Sequence, residues 1–180
     1  MSAAEIGTGK VVVNRAISLD GFIAGPGDEM GWVAEYLPVD AVPEVMAATG
    51  AMLIGRRTYE VGRRMQSGEA SYDGGAKFVL THEPPGEPDP TVTFLTCGLE
   101  EAVATARGAA DGKDLEILGA DLAAQCLQLG LIDEILLYVM PLLLGDGVRF
   151  TPPSLERIDL EPVDSTRSGA VTMLRFRVRK

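Results

Sequence analysis

Two short segments pair a glycine with side chains that seek phosphate. In Leu53-Ile54-Gly55-Arg56-Arg57-Thr58-Tyr59-Glu60 an apolar run ends at Gly55 and a helical stretch follows. Glycine there lets backbone amides approach an anion, and a helix N-terminus adds partial positive charge. Arg56, Arg57 and the Thr58 hydroxyl supply further donors suited to phosphate oxygens. The same segment also reads as a plain strand-to-helix turn with solvated arginines. In Ile117-Leu118-Gly119-Ala120-Asp121-Leu122 small residues again stand where a strand gives way to a helix. Asp121 there is a candidate helix N-cap. No full G-x-G-x-x-G is present, so a Rossmann fingerprint is not supported. Ligands of open α/β sheets gather at the carboxyl ends of the strands, where both junctions belong.

Other polar or flat residues could face a bound molecule. Thr81-His82 ends an apolar run from Ala76 and offers donors to a ribose or its phosphate, or forms a turn beside a proline-rich loop. Asp20 precedes Gly21, a pairing in which the carboxylate commonly shapes the turn. Trp32 and Tyr36 follow on the next segment, and Trp32 either stacks on a flat substrate or fills core.

Composition removes several classes of function. The chain has 180 residues, a net charge of -10, 46% hydrophobic residues and 23% charged residues. Nucleic acid demands clustered Lys and Arg, so it is not an expected partner. His82 is the only histidine, so a His-rich zinc site is excluded and no metal is expected. A Ser-His-Asp hydrolase would have to use that one residue. Cys97 and Cys126 read as buried free thiols of a reducing cytoplasm. Ile132 to Leu144, broken by Asp133, Glu134 and Pro141, is too short to span a bilayer. Residues 1–9 are small and polar, without the basic and apolar regions of a signal peptide, and are expected to be flexible.

The elements that must position these residues alternate. Lys10 to Ile17 is β-branched and reads as a buried strand. Asp40 to Thr49 reads as a helix capped by Asp40 and stopped by Gly50, with Ala51 to Ile54 a short strand after it. Ala76 to Thr81 and Val92 to Leu95 read as strands on either side of a proline-rich loop. Leu99 to Arg107 is an amphipathic helix with Leu99, Ala102, Val103 and Ala106 on one face. Leu115 to Leu118 is a strand, and the helix after it buries Leu122, Cys126 and Leu129. Asp133 to Leu144 is a long strand-like run bent at Pro141. In the tail, Leu174, Phe176 and Val178 alternate with Arg175, Arg177 and Arg179, as an antiparallel strand with one wet face requires. The fold class is therefore α/β: a mixed, mostly parallel central sheet flanked by helices, with an antiparallel C-terminal ribbon. Residues 10–180 form one domain in this reading.

Read in order, these pieces resemble the dihydrofolate-reductase-like superfamily. The residues that carry the likeness are Ser18-Leu19-Asp20-Gly21, Ile54 to Glu60, Leu118-Gly119-Ala120, and Gly130 through Met140-Pro141 to Gly147. The chain is most similar to the C-terminal reductase domain of the bacterial riboflavin-biosynthesis deaminase/reductase, from Lys10 to Val178. The resemblance implies a sheet of about eight strands with NADPH across its carboxyl edge. It places Gly55, Arg56, Arg57 and Thr58 at the cofactor phosphates, with Gly119, Ala120, Asp121 and Leu122, following Leu118, at the pyrophosphate. It places Thr81 and His82 near the adenosine ribose, and Ala16 and Ile17 beside the nicotinamide. Asp20, Trp32 and Tyr36 would face the substrate, with Asp20 or solvent supplying the proton.

Two departures bear on the substrate. Where dihydrofolate reductases carry a carboxylate a few residues beyond the loop Trp, counting from Trp32 reaches Leu37, with Glu35 and Asp40 nearby. Where riboflavin reductases follow the Thr with Asp-Asp-Pro, Tyr59, Glu60, Val61 and Gly62 follow Thr58. The expected function is an NADPH-dependent reductase of a small heterocyclic or sugar-linked substrate, similar to the enzyme that reduces 5-amino-6-(5-phosphoribosylamino)uracil. The alternatives are a dihydrofolate- or pteridine-type reductase and a non-catalytic NADPH-binding protein. A homodimer is expected, with the apolar Tyr138 to Leu144 run contributing to its interface.

Overall fold

The computed structural model describes residues 9–36, 41–65, 75–87 and 89–180. The run after Lys10 forms β1 (Val11–Ser18), which buries Val11 and Val13 on one face and Val12 on the other. Cover on both faces is what an unbroken β-branched strand requires. The strands that flank it are β3 (Thr49–Gly55), β4 (Ala76–Leu80), β5 (Thr93–Leu95), β6 (Asp114–Leu118), β7 (Glu134–Met140), β9 (Leu160–Ser168) and β10 (Val171–Val178). They make one eight-stranded sheet in the order β5-β4-β3-β6-β1-β7-β10-β9. The pairs from β5 to β7 are parallel, and β10 runs antiparallel to both β7 and β9. A separate two-stranded ribbon joins β2 (Phe22–Ala24) to β8 (Val148–Arg149).

Helices cover both faces. On one, α4 (Leu99–Gly108) and α5 (Ala120–Gln128) bury Ala102, Val103, Ala106, Leu122, Cys126 and Leu127 against Val11, Val13, Leu53, Leu115 and Ile117. On the other, α1 (Gly31–Tyr36) packs Trp32 on Leu136, Tyr138, Met140 and Val171. There too α3 (Arg56–Met65) lays Tyr59 over Met52, Ile54 and Val79, and α2 (Ala41–Ala48) contributes Val45. Burial pushes the Cys126 thiol up to about 12, so it behaves as a small apolar group; Cys97 is half-buried and equally unpaired.

Several expectations are corrected by packing. Gly50 does not stop the helix: it lies inside β3, where an added Cβ would collide with the Ala110 carbonyl oxygen. Its role is close backbone approach, and the strand begins earlier than expected. Asp40, the expected cap, and Leu37 fall outside the described residues. Leu129 is 54% exposed because α5 ends at Gln128, and Ala123 and Leu127 complete the buried face instead. Within the Tyr138 to Leu144 run, Tyr138 and Met140 are buried, Leu142 and Leu144 pack partly buried on the same cluster, and Leu143 is exposed. No described helix is long and apolar enough to cross a membrane.

Candidate functional site

The connections leaving β1 and β6 diverge. From β1 the chain passes over one face through α1 and α2 to β3; from β6 it passes over the other through α5 to β7. A crevice opens at the carboxyl ends of strands that part in this way. Here it is visible in the pairing, because β1 and β6 are in register only at Val11–Leu115 and Val12–Glu116. Beyond that the strands separate, and carbonyls that a ladder would satisfy need other donors. Arg15 provides them: its guanidinium donates to the Ile117 carbonyl at 2.7 Å and to Asn14 at 2.6 Å. It also lies 3.8 Å from Glu116, a carboxylate buried on β6.

On the β3 side of this gap the two glycine junctions meet. Ile54 and Leu118 are register partners, so α3 and α5 start side by side. Gly119 adopts φ +116, and a Cβ there would stand 2.9 Å from the Thr58 hydroxyl and 3.7 Å from the Gly55 amide nitrogen. Only a residue without a side chain lets the two helix starts approach this closely. The first-turn amides of an α-helix have no partner within their own helix, and two helix starts this close can serve one anion. Asp121 is not the N-cap: Gly119 holds that position, no side chain caps α5, and Asp121 lies exposed in the first turn.

The arginines are not idle. Arg56 pairs with Glu60 at 2.9 Å along its own helix. Arg57 and Arg64 reach across to opposite oxygens of Asp28, at 2.9 and 3.3 Å. Asp28 lies in the single turn Pro26–Asp28 with φ +64, a conformation unusual for a residue with a side chain. Thr81 is buried, and its hydroxyl both donates to the Glu83 carbonyl and accepts from the Glu83 amide. His82 is exposed beside it.

A cleft of about 440 Å³ runs from Arg56 and Thr81 along α3 to Tyr59, Arg63, Arg64 and Phe94. Tyr59 and Phe94 meet edge to face at 5.5 Å, and the Tyr59 hydroxyl donates to Asp89 at 2.6 Å. Burial and then Asp89 push the Tyr59 phenol up, while bonds from Thr91 and Tyr59 hold Asp89 at about 2. Arg63 is signalled in the sequence by the recurrence of positions 56, 59, 60 and 63 on one helix face, whereas Arg64 and Phe94 carry no such signal.

On the β1 side, Asp20 has its carboxylate fully engaged. It accepts from the Ser18 hydroxyl at 2.6 Å and from the amides of Gly145 and Leu144 at 2.8 and 3.1 Å. These bonds, Ser18 first, hold it at about 2. A carboxylate so held has no proton to give near neutral pH; what it does is pin the loop after β7 to the turn after β1. Trp32 is 5% exposed, and its indole N–H donates to the Glu29 carbonyl at 3.3 Å, so it is packed as core. Tyr36 and Ala16 lie partly buried against the same cluster, and Ile17 is buried. Glu35, three residues beyond Trp32, is exposed. Among the described residues no group of three or more His, Cys, Asp or Glu stands close enough to hold a metal ion.

The arrangement offers a backbone anion cradle, a gap between two strands and a buried aromatic wall. A family model described as the RibD C-terminal domain matches residues 9–174. The uncharacterized protein YwjB of Bacillus subtilis (strain 168) is 28% identical over 142 residues, 77% of this chain and 80% of that protein. Among solved structures, Acinetobacter baumannii RibD is similar with a TM-score of 0.69 and 21% identity, over 96% of this chain and 59% of that one. The dihydrofolate reductase of Enterococcus faecalis, complexed with NADP(H), is similar with a TM-score of 0.66 and 16% identity, over 97% of this chain and 99% of that one. At these identities the two structures share the fold.

Proposed function

The chain belongs to the RibD C-terminal domain family, and from that premise we propose that it is an NADPH-dependent reductase of a small heterocyclic or sugar-linked substrate. The observation that carries this reading is the contact of the two helix starts across Gly55 and Gly119, a cradle that a single Cβ would fill. Residues Gly55 to Thr58 and Gly119 to Leu122 would hold the pyrophosphate. Arg56, Thr81 and His82 would read a ribose phosphate, with Arg57 available once it leaves Asp28. Ala16 and Ile17 would border the nicotinamide at the mouth of the gap. When bound, the cofactor supplies a hydride.

The protein's part is to position and to exclude water. Arg15 keeps the gap open by satisfying the carbonyls that separation of the strands leaves unpaired. Asp20 holds the Leu144–Gly145 loop against the β1 turn, and the proton of the reaction comes from solvent. Reduction of a ribosylaminopyrimidine, as in riboflavin synthesis, is preferred to folate reduction because Glu35 is exposed, Asp40 lying outside the described residues. Two unpaired thiols suit a reducing cytoplasm.

The test is loss of NADPH absorbance in the presence of ribosylaminopyrimidine, dihydropteridine and dihydrofolate substrates. Turnover of the first beyond the other two is expected. Saturable NADPH binding with no turnover of any of them would replace the reductase by a non-catalytic NADPH-binding protein.

A further inference from the structure

One aromatic residue on the substrate side of the gap carries a polar group that the fold does not use. Tyr138 lies on β7 as the register partner of Ala16 and is 7% exposed. Its ring packs among Trp32, Leu136, Met140 and Val171. Every fully buried side-chain nitrogen or oxygen in the described structure has a hydrogen-bond partner. The Tyr138 hydroxyl makes no hydrogen bond to any described residue, so its tip is not sealed. It opens toward the side of the sheet that α1 and α2 cover. A phenylalanine would fill the same cluster without carrying an unpaired hydroxyl into it, so the oxygen calls for a partner from outside the chain.

The surroundings fix what that oxygen can do. Burial pushes the phenol up to about 12, with Arg175 opposing and Glu116 and Glu44 adding to the shift. The group is therefore neutral through the physiological range and is available as a donor.

We propose that Tyr138 is a substrate-binding catalytic residue whose hydroxyl donates a hydrogen bond to a ring carbonyl oxygen or imine nitrogen of a planar heterocycle. This rests on the reductase reading. A bound reduced nicotinamide would supply the hydride that forms the new C–H bond as the substrate's C=N or C=O π bond breaks. The π electrons pass to the nitrogen or oxygen, which takes a proton from water. Tyr138 keeps its proton and stabilises the charge that builds on that atom.

Tyr138→Phe removes the oxygen and no internal hydrogen bond, so the fold should be unchanged. Trp32 is the sole tryptophan and touches the same cluster, which makes its fluorescence a reporter. Wild type and variant, each saturated with NADPH, are titrated with a dihydropterin and with a 5-amino-6-ribosylaminouracil, and turnover is followed in parallel. The expected result is at least a tenfold loss of affinity for the better probe in the variant and a matching fall in any turnover. NADPH affinity and Tm should match wild type. Equal probe binding by both proteins overturns the proposal, as does failure of NADPH-loaded wild type to bind either probe. A loss accompanied by a fall in Tm traces to packing and overturns it too. Wild type that does not bind NADPH removes the reductase reading and this inference with it.

Discussion

The two walls of the β6–β1 gap are built from different materials. The β3–β6 wall is backbone: two glycines and two helix starts, with exposed Arg56 and Arg57 opening α3. The β1–β7 wall is side chain: Trp32, Tyr138 and Met140 packed to near-complete burial, with Asp20 and Arg15 consumed in holding strands and loops. A backbone wall of this kind would bind what every ligand of its class shares, a phosphate, and would tolerate little substitution. A side-chain wall selects among ligands and can be re-cut by single changes without unfolding the protein.

That contrast orders the expected effects of mutation. Gly119→Val adds a side chain at φ +116 against the Thr58 hydroxyl. It should abolish NADPH binding in a fluorescence titration and cost about 1–3 kcal/mol of stability in a denaturant melt. Binding that survives would show that the wall is not the cradle. Replacing both Arg56 and Arg57 with Ala should weaken NADPH about tenfold or more while leaving NADH nearly untouched, since an arginine fork on a 2′-phosphate has no counterpart in NADH. An equal loss for both cofactors would assign the arginines to the diphosphate.

Asp20→Asn tests the other wall. Asp20 sits at about 2 in the fold against an ordinary 3.8. The stability it confers is full above about pH 4 and lost as pH falls through about 2. The Tm difference between wild type and Asp20→Asn should therefore shrink steadily between those limits, and turnover at pH 7 should follow the folded fraction. A turnover loss on the order of a hundredfold in a fully folded variant would restore Asp20 as proton donor. The smallest effect belongs to Asp28→Asn, which frees Arg57 and Arg64. Their exposed pairs are worth at most about 1 kcal/mol each, so NADPH affinity should rise only a few-fold, and a fall would show that Asp28 aligns the arginines.

The same division governs what the sequence discloses. The Gly55 and Gly119 junctions are legible because strand, glycine and helix follow within a few residues, and the need for a missing side chain is written locally. Asp20 is legible as a position but not as a role: the amides that consume it lie 124 and 125 residues away. Tyr138 reads locally as part of an apolar run fit for an interface, and only its pairing with Ala16 brings it to the gap. Arg15 gives no signal at all, since its duty arises from two strands that part. Strand β9 stayed hidden for another reason: it is an edge strand, almost wholly exposed and interrupted by Pro162, so it shows no buried face.

The central claim is that the Gly55–Gly119 wall holds NADPH. Calorimetric titration of the wild-type chain with NADPH and with NADH, at the same salt, tests it most directly. One NADPH is expected to bind per chain, at least tenfold more tightly than NADH. No heat with either cofactor, or equal affinity for both, would contradict it.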